Sequence, residues 1–214
     1  MNWKKECLKN FKLYAITDLK AENPQILEQI KGALRGGVDM VQLRSKTLSD
    51  HALFKLGEKM RMLTRQMKKL FIVNDRVDLA LLLDADGVHL GQDDLSIASA
   101  RRILGKNGKI IGRSTHSLKQ AMKAEREGAD YIGFGPIFGT PTKPTYQPIG
   151  LKPIHQVMKR VRIPVVCIGG IERSNIDKVI NAGAQRIAVV RAIFSTADPY
   201  QAALHLKGLM NYEK

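Results

Sequence analysis

Cysteine, aromatic residues and long apolar runs are all scarce in this sequence. The two cysteines, Cys7 and Cys167, have neither metal-binding nor redox-motif spacing, which excludes a cysteine-held metal centre and a disulfide scaffold. No apolar run is long enough to cross a bilayer, and the first residues, MNWKKECLKNFKLYAITD, lack the apolar core of a signal peptide. We therefore expect a cytoplasmic protein without membrane segments.

Carboxylates are also few, with 20 Asp and Glu against 35 Lys and Arg, so the net charge is +15. A surplus of this size invites a nucleic-acid function. However, the basic residues are spread along the chain, and the few aromatic residues do not alternate with them to form a base-stacking surface. The charge therefore favours an anionic small-molecule substrate over a nucleic acid.

Short apolar runs alternate with helix-period segments along the whole chain. The eight runs are 12–17, 40–44, 70–74, 87–91, 109–114, 131–138, 164–170 and 186–192. They are nearly continuous in apolar character, as parallel strands buried on both faces are. The pattern predicts a (β/α)₈ TIM barrel that forms a single domain over residues 1–214. An open doubly wound sheet is the alternative, but the first turn, KLYAITDLKAENP, lacks its glycine-rich motif.

A helix-start signal supports the alternation of strands and helices. Ser117 and Gln120 have the spacing of a capping box, which predicts a helix that begins beside Ser117.

Carboxylates follow two consecutive strands of the predicted barrel. Asp75 comes directly after LFIVN, and Asp93 and Asp94 follow GVHLGQ. Neighbouring strands lie about 5 Å apart, and barrel enzymes place their chemistry at the C-terminal strand ends. Asp75 and Asp94 are therefore expected to share one cation. The alternative is that Asp94 caps the helix that contains LSIASARR.

The second and fifth strands end in polar residues that suit a phosphate. Gln42 and Arg44 alternate with Leu43, so they are expected to face the barrel interior, with Lys46 in the following loop. Ser114 is able either to donate to a phosphate oxygen or to start the next helix. His89 and His116 have no partner at metal-ligand spacing and are interpreted as structural.

The other half of the barrel mouth has glycine-rich turns. A long loop, GPIFGTPTKPTYQPIG, carries Lys143 near its centre. The segments IGG (168–170) and VVRA (189–192) end the seventh and eighth strands, where barrels of this type usually bind phosphate through backbone N–H groups.

These segments together resemble the thiamine phosphate synthase family. The matching pieces are YAITD, VQLRSK, IVNDRVDLALLLDADGVHLGQDD, IGRSTHS, ADYIGFGPIFGTPTK, IPVVCIGGI and AGAQRIAVVRAI. Single pieces such as IGGI are common in phosphate-binding barrels, but the combination is highly specific.

The resemblance implies a Mg²⁺-dependent transferase. It joins an aminopyrimidine that carries a methyl diphosphate to a thiazole phosphate and releases diphosphate, with CO₂ if the thiazole is carboxylated. By position, Asp75 and Asp94 would bind Mg²⁺, and Asp93 is the weaker candidate. The catalytic residues implied are Arg44, Lys46, Ser114 and Lys143, and the substrate-binding set is Gln42, Leu43, Arg44, Ser45, Lys46, Asn74, Ser114, Thr140, Pro141, Thr142, Lys143, Gly170, Val190 and Arg191.

One departure and two alternatives accompany this resemblance. Some relatives have a small hydroxyl residue where Arg191 stands, so its contact with the thiazole phosphate is expected to come from the backbone or to differ here. The alternatives are a thiazole tautomerase of the same barrel family, which handles no diphosphate, and a non-catalytic phosphate-binding barrel.

Overall fold

The computed structural model describes residues 3–105, 108–141 and 146–211. Eight strands form a closed parallel barrel in chain order, with β8 pairing to β1. The strands are β1 (Leu13–Ile16), β2 (Met40–Leu43), β3 (Leu70–Asn74), β4 (Gly87–Leu90), β5 (Ile110–Thr115), β6 (Tyr131–Phe134), β7 (Val165–Ile168) and β8 (Ile187–Val189). The predicted (β/α)₈ barrel is confirmed.

Strand alternation divides the apolar residues between two cores. On β1, Leu13 and Ala15 face outward into the layer between strands and helices, whereas Tyr14 faces the barrel interior. The interior core also contains Met40 and Ile72. Because both faces of each strand are buried, the runs are apolar throughout rather than alternating.

Helices cover the outside of the barrel. They are α1 (Trp3–Asn10), α2 (Ile26–Arg35), α3 (Asp50–Gln66), α4 (Val77–Leu82), α5 (Ile97–Leu104), α6 (Leu118–Arg126), α7 (Lys152–Arg160), α8 (Ile176–Asn181), α9 (Arg191–Phe194) and α10 (Pro199–Asn211). In the described ranges, none of the helices has the length and apolar character needed to span a membrane.

Helix α1 precedes the first strand and was not predicted. Its residues Trp3, Cys7 and Leu8 pack against the interior core, together with Phe11 just beyond its end. Apolar side chains therefore fill the interior on the side of α1, and the accessible cavity lies at the C-terminal strand ends.

Several predicted runs extend past the strands that they contain. The run 131–138 continues beyond β6 because Ile137 and Phe138 belong to the following loop, where they pack against the outer core. The eighth run stops being a strand at Val189, and α9 begins at Arg191. The start of α6 is as predicted: Ser117 is its N-cap and accepts a hydrogen bond from the Gln120 N–H, while the Gln120 side chain accepts from the N–H of His116.

Candidate active site

A cavity opens at the C-terminal end of the barrel and gathers residues from most of the strands. Its wall includes eight residues of the predicted set: Gln42, Arg44, Asn74, Ser114, Thr140, Gly170, Val190 and Arg191. These positions are spread over some 150 residues of sequence, and the closed barrel brings them around one space.

The other described residues of the predicted set are not part of this wall. Leu43 faces outward into the core beneath the helices, and Ser45 holds the loop after β2 by donating its hydroxyl to the Leu19 carbonyl. Pro141 is exposed. Thr142 and Lys143 lie outside the described residues.

Asp75, Asp94 and Lys46 form a charged cluster at the rim. The Lys46 ammonium donates to Asp75 Oδ2 at 2.5 Å, and the Asp75 N–H donates to the carbonyl of His89 on the next strand at 2.8 Å. Asp75 has a φ of 60°, in the left-handed region that non-glycine residues seldom adopt, so its placement directly after β3 is a strained one.

The two carboxyl groups of this cluster are hydrogen-bonded to each other and differ in pKa. Burial and the hydrogen bond with Asp75 raise the pKa of Asp94. Burial also acts to raise the pKa of Asp75, but the hydrogen bonds from Asp94 and Lys46 outweigh it, so this pKa is lowered. The pair therefore holds a proton more tightly than two separate carboxylates would.

Asp94 has a structural contact as well. Its Oδ2 accepts the N–H of Gly91 at 2.6 Å, which fixes the turn after β4. The alternative role as a helix cap is wrong, because Ser96 is the N-cap of α5 and its hydroxyl accepts the N–H of Ser99.

This pair of carboxylates suits a hard divalent cation. Within the described ranges there is no group of three or more His, Cys, Asp or Glu side chains able to hold a metal. Two adjacent carboxyl groups nevertheless match the one or two carboxylate ligands that Mg²⁺ usually takes from a protein, the remainder being water and phosphate oxygens.

Arg44 lies in the cavity wall and is held by an acidic residue that the sequence reasoning missed. Asp18, just after β1, makes an ion pair with the Arg44 guanidinium, which is only 9% exposed. The buried Thr17 hydroxyl accepts the N–H of Arg44 at 2.8 Å and so fixes the end of β2. A carboxylate directly after the first strand, in YAITD, was the available signal for Asp18.

Both histidines that were interpreted as structural lie in the wall of the cavity. His89 Nε2 is 2.9 Å from Ser114 Oγ, and its Nδ1 is 2.9 Å from the hydroxyl of Tyr131. His116 packs its ring against Tyr146, with ring centroids 4.4 Å apart. The signal for His89 was its place between Val88 and Leu90, which both face outward, so that His89 faces inward.

The turn after β7 forms the opposite side of the cavity. Gly169 and Gly170 both have positive φ values, 101° and 62°. The Asn175 side-chain amide donates to the Gly170 carbonyl at 2.9 Å, which holds the turn in place. Thr140, Val190 and Arg191 line the cavity together with this turn.

Comparison with known proteins identifies the family. The model of the family described as thiamine monophosphate synthase matches residues 13–193. A thiamine-phosphate synthase of Chlorobium luteolum is 49% identical over 200 residues, which cover 93% of this chain and 92% of that protein. The thiamine phosphate pyrophosphorylase structure from Pyrococcus furiosus has a TM-score of 0.85 and 38% identity, and the match covers 96% of each chain.

Several similar proteins are longer than this chain. A thiamine-phosphate synthase of Synechocystis sp. is 46% identical over 199 residues, and the match covers 93% of this chain but only 57% of that protein. The family model covers the barrel from the start of β1 into α9. On the family match and the two full-length similarities, the chain belongs to the thiamine monophosphate synthase family of transferase enzymes.

Proposed function

We propose that this chain couples hydroxymethylpyrimidine diphosphate to a thiazole phosphate, or to its carboxylated form with release of CO₂, to give thiamine phosphate and diphosphate. The observation that carries the proposal is the Asp75–Asp94 carboxyl pair with Lys46, set beside a cavity that contains Arg44 and Ser114. A tautomerase of the same barrel family would have no diphosphate for this cluster to bind.

The reaction needs a stabilised leaving group more than an acid or a base. The bond between the pyrimidine methylene carbon and the diphosphate oxygen breaks, and its electron pair leaves with the diphosphate. The thiazole nitrogen then donates its lone pair to the methylene cation and forms the new C–N bond. Asp75 and Asp94 would hold Mg²⁺, which would supply positive charge against the leaving diphosphate.

The side chains at the mouth share that electrostatic work. Arg44 and Lys46 place fixed positive charge beside the leaving diphosphate, and Asn74 and Ser114 add hydrogen-bond donors. Lys143, outside the described residues, is assigned to the same group. Gln42 orients the pyrimidine from the barrel interior, where it is 1% exposed. Leu43 and Ser45 contribute through the backbone of the segment 42–46, since their side chains point elsewhere.

The far side of the cavity is assigned to the thiazole phosphate. Gly170, Val190 and Arg191 line it together with Thr140. Pro141 and Thr142 complete the assignment from the loop after β6. Glycine at position 170 allows a phosphate oxygen to approach the backbone N–H groups closely.

We propose further that the chain works as a single cytoplasmic domain on these small molecules, with no nucleic acid or membrane partner. The spread of basic residues over the sequence, with few aromatic residues among them, supports the absence of a nucleic-acid partner.

One assay tests the proposed function. The purified protein is incubated with both phosphorylated substrates and Mg²⁺, and thiamine phosphate and diphosphate are measured. We expect both products in equal amounts. Conversion of the thiazole alone, without use of the pyrimidine diphosphate, would instead indicate the tautomerase, and no chemistry at all would indicate a phosphate-binding barrel.

A further inference from the structure

Five side chains from five strands form a continuous hydrogen-bonded chain inside the barrel. Gln42 Nε2 lies 2.5 Å from the Tyr14 hydroxyl, which lies 3.0 Å from the Tyr131 hydroxyl. Tyr131 is 2.9 Å from His89 Nδ1, and His89 Nε2 is 2.9 Å from Ser114 Oγ. The chain thus begins and ends at residues of the cavity wall, with Gln42 at one end and Ser114 at the other.

The direction of this chain follows from the groups at its start. The amide nitrogen of Gln42 is a donor only, so the Tyr14 oxygen accepts from it. Burial raises the pKa of both Tyr14 and Tyr131, so each phenol keeps its single hydrogen to donate. Tyr14 therefore donates to Tyr131, which is its other hydrogen-bond partner among the described residues. Tyr131 in turn donates to His89 Nδ1.

This order of donors and acceptors sets the tautomer of His89. A neutral imidazole that accepts at Nδ1 carries its hydrogen on Nε2, and this N–H donates to Ser114 Oγ. Because the Ser114 oxygen already accepts from His89, its own hydrogen is directed away from the ring and toward the cavity. An anionic oxygen in the cavity is the acceptor that suits it.

Two glycines in the neighbouring strands leave room for the rings of Tyr131 and His89. A Cβ on Gly112 would lie 2.1 Å from the Tyr131 ring, and a Cβ on Gly133 would lie 3.4 Å from the His89 ring. The two phenol rings also pack edge to face, with centroids 6.0 Å apart. Glycine at position 112 is therefore required for Tyr131 to reach its place between Tyr14 and His89.

We propose that His89, set in its Nε2–H tautomer by Gln42, Tyr14 and Tyr131, is a positioning residue that makes Ser114 a hydrogen-bond donor to the anionic substrate. The inference rests on the proposed function only in identifying that anion as the pyrimidine diphosphate. The reverse order requires Gln42 to present its amide oxygen to Tyr14, and Ser114 would then donate to His89 and offer only lone pairs to the cavity.

Nuclear magnetic resonance of the wild-type protein reads this order directly. Two-bond ¹H–¹⁵N correlation spectra distinguish the protonated from the unprotonated ring nitrogen of each of the five histidines, and a His89→Asn variant assigns the His89 signals. We expect a protonated Nε2 and an unprotonated Nδ1. The opposite tautomer, or a ring protonated on both nitrogens, would overturn the proposal, whatever reaction the protein catalyses.

Kinetics of Tyr131→Phe, Ser114→Ala and the double variant test whether the chain acts through Ser114. Tyr131→Phe keeps the ring and removes one hydroxyl, so kcat/KM for the pyrimidine diphosphate should fall about tenfold, the usual effect of one lost hydrogen bond. The KM for the thiazole phosphate should not change. If Tyr131 acts through Ser114, the double variant should be no less active than Ser114→Ala alone.

Controls separate this proposal from general damage and from the proposed function. Tyr200→Phe makes the same change at a partly exposed tyrosine of α10 and should leave activity as it is. Losses that multiply in the double variant would show that Tyr131 does not act through Ser114, and would overturn the proposal. An inactive wild-type protein with the expected His89 tautomer would contradict the synthase assignment but would leave the proposed direction of the hydrogen bonds standing.

Discussion

Arg44 illustrates how one charged side chain is prepared for an anion. Its guanidinium is almost buried, is paired with Asp18 and lies in the cavity wall. The carboxylate neutralises Arg44 in the absence of substrate, and the planar guanidinium keeps further donors for a diphosphate. Because Arg44 lies at the mouth of the barrel, we expect it to affect substrate binding and rate more than folding.

Replacement of Arg44 by alanine should reduce the rate strongly. An interaction that strengthens as charge develops on the diphosphate is worth about 2–4 kcal/mol, or about 10²–10³ in rate. We expect this loss in kcat/KM for the pyrimidine diphosphate, with a small change in thermal stability. Arg102→Ala, on the exposed side of α5, is the matched control, and an Arg44→Ala enzyme with wild-type turnover would remove Arg44 from the site.

At the scale of elements, the turn after β7 depends on glycine for both its conformation and its close packing. Gly170 has a φ of 62°, and a Cβ there would lie 2.6 Å from the Gly139 carbonyl oxygen of the β6–α7 loop. A larger residue would therefore displace that loop, which carries Thr140, as well as strain the turn.

Gly170→Ala should raise the KM for the thiazole phosphate more than that for the pyrimidine diphosphate. The matched control is Gly128→Ala, because Gly128 also has a positive φ, 88°, but open space around its Cβ position. Both variants should lose about 1–2 kcal/mol of stability through backbone strain, and Gly170→Ala should lose more because its Cβ meets the Gly139 carbonyl oxygen. Steady-state kinetics with each substrate varied in turn would decide, and equal effects on the two KM values would contradict the assignment of this turn.

The start of β5 is tied to the turn before β4 by an ion pair. Asp84 has a φ of 45° and binds the largely buried Lys109 ammonium, which also donates to the Ala85 carbonyl at 2.7 Å. The hydrogen bond from Lys109 lowers the pKa of Asp84 against the opposing effect of burial. A lowered carboxyl pKa stabilises the fold above the unfolded-state value of about 4, and the stabilisation is lost as the pH falls through the lowered value.

Asp84→Asn should therefore destabilise the protein in a pH-dependent way. Asparagine tolerates the left-handed conformation, so the change mainly removes the charge, and we expect a loss of about 1 kcal/mol at neutral pH for this half-exposed pair. Denaturant unfolding at neutral pH and below about pH 4 measures it, and the difference from wild type should shrink in acid. Arg65→Ala, which leaves the Lys109 pair intact, should have a smaller effect, and a loss of equal size at both pH values would contradict this account.

The elements were more predictable from sequence than their ends were. Buried parallel strands give continuous apolar runs, so all eight were found, but an apolar loop residue such as Phe138 extends the pattern past the strand. The short, mostly polar α1 has no run long enough to predict. Ser117 marked its helix correctly because a cap is a local interaction.

At the scale of the whole molecule, barrel closure creates contacts that sequence alone does not give. The predicted rim residues come from strand ends, a position that the fold class fixes in advance. Tyr14 and Tyr131, in contrast, are 117 positions apart on non-adjacent strands and meet only across the closed interior. His89 was judged structural because a lone histidine has no spacing signal, and its contact with Ser114 appears only once the strands are in register.

We propose that Asp75 and Asp94 bind one Mg²⁺ together with the diphosphate. Two carboxylates alone make a poor site for an ion that prefers octahedral oxygen ligands and dehydrates reluctantly, so binding should depend on the diphosphate. Asparagine at position 94 still offers an oxygen to the Gly91 N–H, so Asp94→Asn should disturb the turn after β4 little.

The most direct test is activity against Mg²⁺ concentration for wild type, Asp75→Asn, Asp94→Asn and the double variant. Each single variant should lose activity sharply and recover part of it at raised Mg²⁺. The double variant should be less impaired than the product of the single losses, because both residues act on one ion. Full wild-type activity in excess chelator, or strictly multiplicative losses with an unchanged Mg²⁺ requirement, would contradict the shared site.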